Sequence, residues 1–93
     1  MTADGSQLLG TWRQISPETA PLEIYVTFVP DGRLLYSIEG GGAHQINLTW
    51  RNEGEALYTA QPDGAAEVAR FRVEEPSFLI LEKGEHTYRY QRI

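Results

Sequence analysis

Apolar and polar residues alternate with a period of two along most of this chain. In residues 22–29 (LEIYVTFV), Leu22, Ile24, Val26 and Phe28 share one face. In residues 44–51 (HQINLTWR), Ile46, Leu48 and Trp50 share one face, and Gln45, Asn47, Thr49 and Arg51 share the other. Residues 66–74 (AEVARFRVE) set Ala69, Phe71 and Val73 against Val68, Arg70 and Arg72. This is the pattern of strands with one dry and one wet face. Nowhere does a stretch combine helical spacing with caps.

Turn residues punctuate the runs. Pro30-Asp31-Gly32 and Pro62-Asp63-Gly64 are the same tripeptide, and Gly40-Gly41-Gly42, Asn52-Glu53-Gly54 and Lys83-Gly84-Glu85 mark further turns. Proline presets φ for such turns, and glycine accepts positive φ. The resulting strands are residues 8–15, 22–29, 33–39, 44–51, 55–61, 66–74, 77–83 and 86–93, with a break at Glu75-Pro76. Residues 77–83 (SFLILEK) are nearly all apolar, which predicts cover on both faces. The strands flanking the two Pro-Asp-Gly turns do not match, so the tripeptide is turn chemistry rather than a repeat.

Links this short exclude parallel crossovers. The chain is therefore all-β, an eight-stranded antiparallel up-and-down meander. Closing it removes two vulnerable edges. The expected fold is a small β-barrel, its first strand paired with its eighth. Two packed antiparallel sheets are the alternative. The 93 residues are expected to form a single domain, 1–93. A domain this short buries little more than about 60% of its unfolded surface, so a cavity competes with the core for side chains.

Composition narrows the function. Eight Lys and Arg against 13 Asp and Glu leave a net charge of −5, and the basic residues are scattered, which argues against nucleic acid. The absence of cysteine excludes disulfides and thiolate chemistry. With the polar N-terminus MTADGSQ, it leads to the expectation of a cytoplasmic protein. No apolar run has the length of a membrane span.

Three motifs carry a resemblance. Gly10-Thr11-Trp12 is similar to the Gly-x-Trp motif on the first strand of lipocalins. Residues 27–33 (TFVPDGR) resemble a hairpin common in bacterial lipocalin-like domains, and Tyr90-Gln91-Arg92 falls where such proteins place a late arginine. The chain thus resembles the lipocalin-like members of the calycin superfamily. That resemblance implies a structural plug in which Arg92 packs across Trp12 beside Gly10, with Arg89 as the substitute arginine. It also implies a barrel that holds a small apolar or amphipathic ligand, with no cofactor.

Tyr36, Trp50, Tyr88 and Tyr90, and with them Tyr58, fall on faces expected to point inward. Tyrosines inside a small barrel need hydrogen-bond partners and suit a ligand with a polar group. His44 and His86, the only histidines, each begin a strand at a loop mouth. His44 joins Tyr36, Trp50, Tyr88 and Tyr90 as a candidate ligand contact. Glu67 and Glu82 share faces with apolar neighbours, which puts them at the barrel mouths. No catalytic residue set and no metal-ligand spacing emerges. Two other readings stand beside ligand binding. One is a protein-interaction module, acting as an inhibitor through residues 1–7 or as a homodimer through outward Val29, Leu35 and Leu79. The other is a barrel-type cyclase or isomerase.

Overall fold

The computed structural model describes residues 5–40, 44–74 and 77–93. A 3-10 turn (Gly5–Leu8) leads into β1 (Gly10–Ser16), β2 (Glu23–Phe28), β3 (Arg33–Glu39) and β4 (His44–Glu53). There follow β5 (Ala56–Ala60), β6 (Ala66–Glu74), β7 (Phe78–Lys83) and β8 (His86–Arg92). Each strand pairs antiparallel with the next, and β1 pairs with β8 to close the barrel. The closing register sets Trp12 opposite Arg92, and a bulge between Gln14 and Ser16 lets β1 bend into closure. No helix among the described residues is long and apolar enough to cross a membrane.

The period-two pattern places the core. Val26, Phe28, Leu34, Leu57, Phe71, Leu79 and Leu81 meet inside the barrel with Leu8, Trp12 and Tyr90. The two Pro-Asp-Gly turns lie at opposite ends of the barrel and share one construction. Asp31 Oδ1 accepts from the Arg33 amide at 3.1 Å, and Asp63 Oδ1 accepts from the Ala65 amide at 2.9 Å. Gly32 follows with φ of 91°, a left-handed backbone that favours glycine.

Several sequence expectations need correction. Leu8 is not the start of β1; it belongs to the 3-10 turn and is fully buried. Strand β4 runs on through Asn52 and Glu53, so the turn falls at Gly54-Glu55. Leu79 points into the core with no exposure, so it cannot contribute to an outward apolar patch with Val29 and Leu35. Glu82 faces outward and pairs with Arg72 at 3.3 Å. Tyr58 also faces outward, under the Arg51 guanidinium. The assigned turn at Gly40-Gly41-Gly42 and the break at Glu75-Pro76 lie largely outside the described residues.

In β7 the apolar run is covered on both sides. Leu79 and Leu81 face the barrel interior. Ile80, on the outer face, is only 3% exposed, because it sits between Arg72 and Arg89 on the neighbouring strands. Long arginine stems cover apolar surface while their charged heads stay in water.

Candidate binding cavity

One end of the barrel is closed by the N-terminal segment. The 3-10 turn brings Leu8 under the strands, and the buried Trp12 indole donates from Nε1 to the Leu8 carbonyl at 2.9 Å. Arg92 covers the same indole, its guanidinium carbon 4.1 Å from the ring centroid. Its two terminal nitrogens donate to the carbonyls of Leu9 and Gln7 at 2.6 and 2.7 Å. Residues 5–8 are therefore folded onto the barrel and are not a free arm. Trp50 belongs to this end as well. It meets Phe28 edge-on at 5.3 Å and donates from Nε1 to the Val29 carbonyl at 3.1 Å.

Toward the other end the barrel interior is not filled. A cavity of about 210 Å³ lies above a floor of Phe28, Leu34 and Leu57. Val26, Leu48, Ala69 and Leu81 contribute apolar wall, and Tyr36 and Tyr90 are set into it. Gln61, Glu67 and Lys83 line its polar margin. Lys83 Nζ donates to Glu67 Oε2 at 2.7 Å, in an exposed ion pair across the β6–β7 edge of the mouth.

The tyrosines are the unusual element. Tyr90 is 5% exposed. Among the described residues its hydroxyl makes no hydrogen bond, yet the oxygen is not sealed off from the cavity. Burial drives its pKa far above the ordinary 10, and the nearby Tyr36 and Tyr88 phenols add to the effect. Tyr36 is half-buried and also lacks a hydrogen-bond partner among the described residues. Burial raises its pKa too, while the charge of Lys83 pulls the other way. Both phenols therefore stay protonated at neutral pH, and each offers a hydrogen to the cavity.

Of the five side chains singled out from the sequence, Tyr36 and Tyr90 line the cavity. Tyr88 packs against the core nearby, with Lys83 Nζ 5.8 Å from its ring centroid and the His86 ring at 6.4 Å. His44 is exposed at the first position of β4 and is not among the lining residues. Trp50 has the inward parity expected of it, but it lies at the closed end. Parity alone could not separate the two ends of one strand face. Lys83 was missed because it closes a strand next to a turn, where a lysine reads as solvated. The signal was its phase, since Leu79, Leu81 and Lys83 alternate on one face.

Fold and site together define a closed, eight-stranded antiparallel barrel with an apolar, tyrosine-bearing cavity toward one end. The chain matches no family model, no curated protein and no solved structure.

Proposed function

We propose that the protein binds a small apolar or amphipathic molecule inside its barrel, as the lipocalin-like proteins it resembles do, without transforming it. The observation that carries this reading is the Tyr90 hydroxyl, which opens onto the cavity from a side chain otherwise buried and makes no hydrogen bond among the described residues. A ligand that supplies an acceptor engages this hydroxyl, and its apolar part fills the space against Phe28, Leu34 and Leu57.

The volume limits the ligand. An apolar cavity of about 150 Å³ holds one benzene, and pockets for drug-sized molecules start near 300 Å³. The 210 Å³ here suits a single ring or a short chain rather than a lipid.

The test is an NMR titration of the wild type and of Ala69→Leu with benzyl alcohol and 1-hexanol. Ala69 lines the cavity, and the larger side chain grows into it. We expect saturable shifts at Leu57, Leu81 and Tyr90 in the wild type, and none in a folded Ala69→Leu variant. Equal shifts in both proteins, or no shifts in the wild type, would overturn the proposal.

A further inference from the structure

The margin of the cavity carries more hydrogen-bond donors than the protein itself uses. Lys83 is the one cation among the lining residues and Glu67 the one anion. Tyr36 and Tyr90 add two phenol hydrogens with no acceptor among the described residues. Lys83 lies near enough to Tyr36 and Tyr88 to affect Tyr36 electrostatically and to stand 5.8 Å from the Tyr88 ring. Among the described residues the one acceptor of Lys83 is Glu67, whose side chain is 59% exposed. Solvent screens so exposed a pair, so Glu67 is easily displaced into water.

We propose that the ligand is a small monocarboxylic acid of single-ring or short-chain size, its carboxylate taking the place of Glu67 on Lys83. This rests on the cavity-binding reading and deepens it. The carboxylate accepts from Lys83 and from the Tyr36 hydroxyl, and the apolar remainder lies along Leu57, Ala69 and Leu81. An amine would face three donors and compete with Lys83 for Glu67. A neutral alcohol would satisfy a phenol and leave the ion pair untouched. The net charge of −5 does not prevent entry of an anion, because at physiological salt charges beyond about 8 Å are largely screened.

Benzoate, benzyl alcohol and benzylamine share a ring and differ in the head group, so they serve as probes. Each is titrated by NMR into wild type, Lys83→Met and Glu67→Gln at neutral pH. We expect benzoate to bind the wild type at least tenfold more tightly than the other two. Loss of a charged hydrogen bond, worth about 1.5–3 kcal/mol, should weaken benzoate about 10- to 100-fold in Lys83→Met and spare benzyl alcohol. Glu67→Gln frees Lys83 and should tighten benzoate severalfold. Equal affinity for benzoate and benzyl alcohol, a preference for benzylamine, or an unchanged benzoate affinity in Lys83→Met overturns the acid preference and leaves the cavity reading standing. Silence from all three probes removes both.

Discussion

Arg92 lies over Trp12 at the closed end of the barrel, 4.1 Å from guanidinium carbon to ring centroid, directly opposite it in the closing register of β1 and β8. The contact joins the two ends of the meander. It also ties down the N-terminal turn, because the same guanidinium donates to Gln7 and Leu9 while the indole donates to Leu8. One cation thus fastens the closing strand pair and the lid beneath it.

Trp12→Ala should cost about 3–5 kcal/mol, the range for emptying a fully buried large aromatic site. Arg92→Ala should cost about 1–2 kcal/mol, because the guanidinium is exposed on its outer side. The double variant should cost less than the two together by about 0.5–2 kcal/mol, since both changes remove one shared contact. Urea titrations of the four proteins measure this coupling. Strict additivity would mean that the stacking contributes nothing.

Gly10 explains the glycine of the Gly-x-Trp motif. Its φ is 114°, where a side chain is strained, and an added Cβ would stand 2.7 Å from Arg92 Nη1. That nitrogen cannot simply move aside, because it donates to the Leu9 carbonyl. Gly10→Ala should therefore destabilise by about 1–3 kcal/mol. In an Arg92→Ala background the clash is gone and only the backbone part of the cost remains. Thermal melts of Gly10→Ala in the wild-type and the Arg92→Ala backgrounds would show the difference, and an equal loss in both would assign the whole cost to φ.

Much of the barrel was legible because its physics is local. Strands β3 and β6 were readable to the residue, since alternation and turn residues bound them on both sides. The Trp12–Arg92 alignment came from a resemblance rather than from spacing. What could not be read was depth along a strand. Trp50 and Ile46 have the same inward parity on β4, yet one packs on Phe28 at the closed end and the other lines the cavity. Parity reports a face, whereas position along the barrel axis depends on strand tilt and neighbour register. Leu8 misled for a different reason. An apolar residue beside a strand reads as strand, but its burial here comes from a 3-10 turn folding back under Trp12.

The outer wall of the barrel separates two branched side chains that the alternation treats alike. Ile80 is 3% exposed between Arg72 and Arg89, whereas Val68 is 56% exposed. Ile80→Ala should cost about 2–4 kcal/mol, as at a core site. Val68→Ala should stay within about 0.5 kcal/mol. Chemical denaturation of the two variants would reverse this account of β7 if Ile80→Ala proved as mild as Val68→Ala.

Tyr90 makes alkaline stability a report on the cavity. Its buried phenol holds its proton well above the ordinary pKa of 10, whereas the unfolded chain releases it near 10. Between those two values the folded state binds more protons than the unfolded state, so stability falls as pH rises. The contribution is fully present below about pH 10, and above it Tyr90 should remove about 1.4 kcal/mol per pH unit. Tyr36, raised by burial but half-exposed, should add a weaker loss of the same sign. Tyr90→Phe deletes this dependence. At neutral pH it should leave stability unchanged or raise it by up to about 1 kcal/mol, because the hydroxyl it removes makes no hydrogen bond among the described residues. Denaturant titrations at neutral and alkaline pH, with tyrosinate absorbance followed in parallel, compare the two proteins. The wild type should show a tyrosine that ionises only as the barrel opens, and Tyr90→Phe should lack it and resist alkali better. If all five tyrosines of the folded wild type ionise together near 10, burial does not hold the Tyr90 proton.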